Sequence, residues 1–225
     1  MKKSYSIQIK MTVPIVLIAL IVFGAMNFLV AENSLKTAQN AAIEKTVATA
    51  ESYASQMRNE IESGLNTSRI IAHQLESYKK TGHVSREPIQ ESFREILKKN
   101  KFLIGVWTGW EPNAWDGKDA QYSGQKANDQ SGRFVPYANW EGGQASLTPL
   151  IGYDKAGEGD YYLVPKARGK ETMVEPYLYP IDGKNVLMTS AVVPITIDGK
   201  FFGVAGVDIP LKSVQKQTAD IKPYQ

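Results

Sequence analysis

The chain has 225 residues, with 26 basic and 23 acidic side chains, two histidines and no cysteine, for a formal net charge of +3. Without cysteine there is no disulfide framework, no thiolate nucleophile and no thiolate metal site. Nearly all of the positive excess sits in the first ten residues, so the remainder offers no general case for binding nucleic acid or an acidic polymer.

Residues 11–31, MTVPIVLIALIVFGAMNFLVA, hold no charged side chain and follow Lys2, Lys3 and Lys10. As a helix this run is about 31 Å long, the thickness of the hydrocarbon core of a bilayer. The three lysines are unbalanced by any acid, which predicts that residues 1–10 stay in the cytoplasm and that everything after Glu32 lies outside. The run is too long for the apolar region of a cleaved signal peptide, and Phe28-Leu29-Val30 makes a poor cleavage site. The expected location is therefore the inner (plasma) membrane, crossed once, with a periplasmic or extracellular domain.

A stalk helix is predicted over residues 32–80. Between Leu35 and Lys79 there is no proline and a single glycine, Gly64. Ile43, Val47, Ala50, Ala54, Met57, Ile61 and Leu65 recur at spacings of three and four, which puts one apolar seam on a long helix. The alanine-rich seam predicts a homodimer through this helix, with Ile70, Ile71, Leu75 and Tyr78 packing on the domain that follows.

Thr81-Gly82 ends the helix, with glycine as its cap. A second helix is expected from Ser85, whose hydroxyl is placed to cap it, with Pro88 in the first turn and Ile89, Phe93, Ile96 and Leu97 on the buried face. The period then changes to that of strands: Phe102–Glu111, Arg133–Trp140, Thr172–Ile181, Asn185–Ile195 and Lys200–Ile209. The last three are joined by Asp182-Gly183 and Asp198-Gly199, strong hairpin signals because both turn residues tolerate positive φ. Pro136 points to an edge or bulge position for the Arg133–Trp140 strand. A long polar loop separates the first strand from the last three. Long helices followed by an antiparallel meander predict an α+β fold with five strands and helices on one face.

Catalytic chemistry has little to stand on. His73 and His83 are ten residues apart and make no metal pair, and nucleophile elbows, phosphate loops and zinc motifs are missing from the sequence. Asp116-Gly117-Lys118-Asp119 lacks the glutamate of a calcium loop and reads as turn chemistry. No metal, cofactor or enzymatic role is expected. The aromatic residues are more informative: Trp107, Trp110, Trp115, Tyr122, Tyr137, Trp140, Tyr153, Tyr161, Tyr162, Tyr177 and Tyr179 all fall between positions 107 and 179. Strand alternation places Tyr177 and Tyr179 on one face, and Asp208 on the face of Phe202, Val204 and Gly206. A carboxylate closing an apolar strand needs a donor: a backbone amide, a tyrosine or a ligand.

The succession GVWTGWEPNAWDGKD, SGRFVPYANW, GDYYLVPK, EPYLYP, VLMTSAVVPI and GKFFGVAGVDIPL, after an anchor and a long helix, resembles the double Cache (dCache) sensor domains of bacterial methyl-accepting chemotaxis receptors. The resemblance implies a PAS-like sheet over residues 81–211 forming the membrane-distal, ligand-binding module. It also implies that Asp208 is a ligand-contacting aspartate; Tyr137, Tyr177, Tyr179, Trp110 and Asn139 complete the candidate site. Residues 212–225 resemble the start of a linker to a membrane-proximal module, so the chain is expected to be the N-terminal part of a longer receptor. Two departures narrow the ligand. The amino-acid sensors of that family carry Arg-x-Arg-x-Trp-Tyr, and Val135 stands where the second, carboxylate-gripping arginine would be. Their Tyr-x-Asp is Tyr177-Leu178-Tyr179 here. One carboxylate among aromatics suits a small nitrogenous ligand, an amine or a purine-like heterocycle, rather than a standard α-amino acid. A sensor histidine kinase or diguanylate cyclase with the same input domain is the alternative, with a membrane-anchored hydrolase or a structural stalk further behind.

Overall fold

The computed structural model describes residues 6–125 and 127–211; the expected linker at 212–225 and Lys2 and Lys3 lie outside the described residues. Helix α1 runs from Ile7 to Thr81 without a break. Its first part is apolar on every side and exposed, as at Ile15, Phe23 and Phe28. By length and composition α1 is long and apolar enough to cross a membrane. Gly82, at φ +78°, closes it: His83 N–H donates to Tyr78 O at 2.9 Å and Gly82 N–H to Lys79 O, a paired cap that a side chain at Gly82 would strain.

Among the described residues, 55–211 form a unit of their own, in which Gly64, Ser68, Ile71, Ala72 and Leu75 of α1 are buried. Ile61 and Leu65, expected in a dimer seam, pack instead against this unit's core. Ile70, expected to pack, is 67% exposed, because the buried stripe passes through its neighbour Ile71. Helix α2 (Arg86–Lys99) begins where expected, but the Ser85 hydroxyl makes no capping bond. Its buried face is Arg86, Ile89, Phe93 and Leu97.

The sheet is antiparallel and has seven strands rather than five. In chain order the elements are β1 (Gly105–Trp110), the short α3 (Asp119–Tyr122), β2 (Pro136–Glu141), β3 (Gln144–Pro149), α4 (Asp160–Arg168), β4 (Thr172–Met173), β5 (Tyr177–Ile181), β6 (Lys184–Ile197) and β7 (Lys200–Pro210). The lateral order is β3-β2-β1-β7-β6-β4, with β5 also paired to β6. Two things changed the count. Residues 144–149 are polar enough to pass for loop, yet pair in full with β2 across the tight Gly142-Gly143 turn. The expected Thr172–Ile181 strand is split before Pro176, which has no N–H for a ladder. Pro136 is neither on an edge strand nor at a bulge: it is the first residue of interior strand β2, another position where its missing donor is harmless. Both Asp-Gly turns are as expected, with φ +49° and +68° at Asp182-Gly183 and +49° and +76° at Asp198-Gly199.

The sheet separates two cores. One face packs on α1 and α2 through Val106, Trp110, Ala138, Ala191, Val193, Ala205, Val207 and Ile209. The other carries Trp107, Val135, Tyr137, Val192, Val204 and Met188, covered by Tyr161 and Tyr162 of α4 and by Tyr179. The β6–β7 register slips between Ile195 and Thr196, leaving Phe202 as the bulged residue. Phe202 therefore joins the helix-side core, contrary to the expectation that it shares a face with Asp208, and Phe201 takes its place.

Candidate functional site

Asp208 is the second residue of a buried cross-strand row. On β1 its partner is Gly105, which in turn faces Asn139 on β2; on β6 its partner is Ser190. A side chain on Gly105 would overlap both Asp208 Oδ2 and the ring of Tyr137. Glycine there allows the tyrosine to lie against the carboxylate.

The carboxylate is 2% exposed. Its Oδ1 accepts from the indole N–H of Trp107 at 2.8 Å and from the Ser190 hydroxyl at 2.7 Å. Ser190 is in turn 2.7 Å from the Tyr177 hydroxyl, so Tyr177 donates to Ser190 while Ser190 donates to Asp208. The Tyr137 hydroxyl is buried beside the same carboxylate and interacts with it, though without the alignment of the Trp107 and Ser190 bonds. No lysine, arginine or histidine among the described residues pairs with Asp208. Burial pushes its carboxyl above the ordinary carboxylate range despite the bonds from Ser190 and Trp107.

Aromatic rings enclose this group. Trp107 meets Tyr161 edge-on at 5.2 Å, Tyr137 meets Tyr179 edge-on at 5.5 Å, and Tyr161 stacks on Tyr177 at 6.1 Å. Two backbone bonds tie the enclosure together: Tyr161 donates to Ile151 O at 2.6 Å, and Ile151 N–H donates to Tyr179 at 3.1 Å. Burial raises all four phenols, Tyr179 to about 12 and Tyr137 and Tyr177 well above their ordinary value, so they are neutral donors with electron-rich faces. Beside the enclosure a cavity of about 440 Å³ opens between α4 and β4–β5, where Tyr161 and Tyr177 form part of its wall.

Of the candidate residues, Asp208, Tyr137, Tyr177 and Tyr179 are brought together. Asn139 lies on the same face but is engaged by Thr148 Oγ1 at 2.7 Å. Trp110 is on the opposite face, packed on Trp115 in the helix-side core. The indole at the carboxylate is Trp107; the two are three residues apart on one strand and must face opposite ways. Tyr161 and Ser190 are further residues of the enclosure that sequence reasoning did not single out. A separate cleft of about 500 Å³ beside α2 is lined by Arg86, Glu87, Gln90 and Arg94 among others. Arg86 there is already committed to Asp116, Asp119 and the carbonyl of Gly132.

The family model described as methyl-accepting chemotaxis protein-like, first PDC sensor domain, matches residues 89–216. The methyl-accepting chemotaxis protein TlpQ of Pseudomonas aeruginosa is 33% identical over 142 residues, a match spanning 58% of this chain and 20% of that protein. Among solved structures, an extracellular domain assigned to histidine kinase mmHK1S-Z3 is 38% identical with a TM-score of 0.68, covering 78% of this chain and 61% of that one. The periplasmic sensory domain of the Campylobacter jejuni chemoreceptor Tlp1 shares the fold, with a TM-score of 0.58 at 16% identity over 78% of this chain and 62% of that one.

Proposed function

Because the chain belongs to the methyl-accepting chemotaxis protein-like family of first PDC sensor domains, we propose that it is the extracytoplasmic input domain of a membrane-anchored receptor and that its ligand is a small nitrogenous compound bound at Asp208. The observation that carries this reading is a buried carboxylate in an aromatic enclosure with no cationic partner among the described residues. An ionised group so placed is costly unless a cation or strong donors reach it. A ligand ammonium would supply the missing charge to Asp208 and sit against the faces of Tyr137, Tyr161, Tyr177 and Tyr179, where cation–π attraction is strongest once water is excluded. Val135, buried on the same face, provides no grip for a ligand carboxylate, which argues against a standard α-amino acid.

A neutral heterocycle that donates N–H to the carboxylate is the second form of the same reading. The output is proposed to be chemotaxis signalling, as in the relative from Pseudomonas aeruginosa; a histidine kinase output is favoured by the 38% identity to the mmHK1S-Z3 domain.

The test is a thermal-shift screen of the purified chain in detergent. It would compare primary amines, purines and α-amino acids, followed by calorimetry on any hit. A ligand at a hundred times its dissociation constant adds about 2.7 kcal/mol of stability. For a cationic ligand, Asp208→Asn should lower affinity roughly ten- to hundred-fold, because the charge is lost. For a neutral heterocycle the fall should be smaller, since the amide oxygen still accepts. Stabilisation by α-amino acids with undiminished affinity in Asp208→Asn would overturn the proposal.

A further inference from the structure

We infer that Ser68 is the positioning residue through which the state of the Asp208 carboxylate is felt by helix α1. The inference rests on Asp208 being the sensing group, and not on which ligand it takes.

Ser68 is fully buried, and its hydroxyl donates to the carbonyl of Ala191 at 2.7 Å, across 123 residues of sequence. The approach depends on a small neighbour one turn away. A Cβ on Gly64 would come within 2.7 Å of Ile209 Cδ1 and 3.4 Å of Val207 Cγ2, so glycine lets the helix lie directly on these side chains, and a larger residue would require Ile209 to turn aside. The other buried α1 side chains, Ile71, Ala72 and Leu75, are apolar, and apolar packing holds a helix down without fixing its axial position. The outer pair, Arg69 with Glu171, is well exposed and contributes little to rigidity. The Ser68 bond is thus the fully buried directional bond between α1 and the sheet, with Lys79 Nζ donating to Trp115 O at 2.8 Å in a part-buried bond near the end of the helix.

Its acceptor is next in the chain to Ser190. On β6, Ser190 faces the aromatic enclosure and holds Asp208 Oδ1, while Ala191 faces α1. Opposite them on β7 the same division recurs: Asp208 pairs with Ser190, and Val207, paired with Ala191, lies under Gly64. A change in how Ser190 is held, whether by neutralising Asp208 or by ligating it, acts on the adjoining peptide and hence on the carbonyl that Ser68 grips. Shifts of packed helices at interfaces are about 1–2 Å. A shift of that size stretches a 2.7 Å bond beyond the hydrogen-bond range, so this one bond separates two positions of the helix.

The experiment needs no ligand, because Asp208→Asn fixes the neutral state of the site. Amide hydrogen exchange by mass spectrometry would follow α1 peptides spanning residues 60–75 and strand peptides covering 200–210. Four versions of this 225-residue chain are compared: wild type, Asp208→Asn, Ser68→Ala and the double variant. We expect Asp208→Asn to change exchange in the α1 peptide by about fivefold, the effect of one hydrogen bond on local opening. In the Ser68→Ala background that change should vanish while the change in β7 persists. Ser190→Ala cuts the same path at its other end and should also abolish the response of α1 with the Ser68 bond intact; it decides the matter if Ser68→Ala does not fold. No response of α1 to Asp208→Asn, or an equal response with and without Ser68, would overturn the inference. Neither result bears on whether amines bind, which the calorimetry above reads separately.

Discussion

Asp208→Asn should stabilise the ligand-free protein near neutral pH, or at worst leave it unchanged, although it removes a group with two hydrogen bonds. The asparagine oxygen can still accept from Trp107 and Ser190, and its amide can donate to the Tyr137 hydroxyl, which lies against the carboxylate in the wild type. What is lost is charge assistance on two bonds, about 1–3 kcal/mol in all. What is gained is release from holding an ion out of water, an effective penalty of several kcal/mol. The expected net is zero to about 2 kcal/mol in favour of the variant, or a rise of roughly 2–4 °C in melting temperature per kcal/mol for a domain of this size.

The pH dependence follows from the direction of the shift. Burial raises the folded carboxyl above its unfolded value. Its contribution to stability is then complete below the unfolded pKa and is lost as pH rises through the folded one. The gap between variant and wild type should therefore narrow as pH falls from neutrality toward the ordinary carboxylate range, as wild-type Asp208 takes up its proton. Melting curves of both proteins across that range, without ligand, provide the measurement. A variant less stable at neutral pH, by an amount that does not change on acidification, would refute the reasoning and make Asp208 a structural hydrogen-bond acceptor before Pro210.

Trp107→Phe removes one donor from Asp208 Oδ1; melting should show a loss of about 1 kcal/mol near neutral pH, and a smaller loss in acid because the less supported carboxylate protonates more readily. Arg86→Met strands Asp116 and Asp119, both buried against the guanidinium, and should cost about 3–5 kcal/mol in denaturant unfolding at neutral pH. Burial alone would raise the Asp116 carboxyl, but Arg86 and the Lys118 amide together hold it below the usual range. Its contribution in the wild type is therefore present above the unfolded pKa and lost as pH falls through the folded one, and the cost of Arg86→Met should shrink in acid. In membranes, a single introduced cysteine in Ala54→Cys should cross-link between copies of this otherwise cysteine-free chain. Adding Val47→Glu should abolish that product; an undiminished yield would place any self-contact away from this seam.

The fold was legible where local chemistry decides structure. Two Asp-Gly turns fixed the β5–β6–β7 meander, and a glycine after Thr81 fixed the end of α1. Periodicity failed where burial is two-sided. Strand β1 is buried along its whole length, so nothing in GVWTGW distinguishes the face of Trp107 from that of Trp110, and only the register against β7 does. The partner of Asp208 was hidden for a related reason. Counting back from the Asp198-Gly199 turn would set Thr189 opposite Asp208, but the bulge at Phe202 advances the register by one and delivers Ser190. Tyr161 was missed because α4 is nine residues long with Pro165 inside it, a pattern that reads as loop.

The division of the sheet into two faces has an evolutionary corollary. Neighbouring residues on one strand serve different masters: Ser190 and Asp208 face the aromatic enclosure, the ligand site proposed above, while Ala191 and Val207 face the helix. Substitutions at the first set can retune chemical preference, and those at the second leave preference alone while altering what the helix experiences. Under the function proposed above, a lineage could exchange one ligand for another by a few point changes on alternate positions, without rebuilding the face that meets the helix.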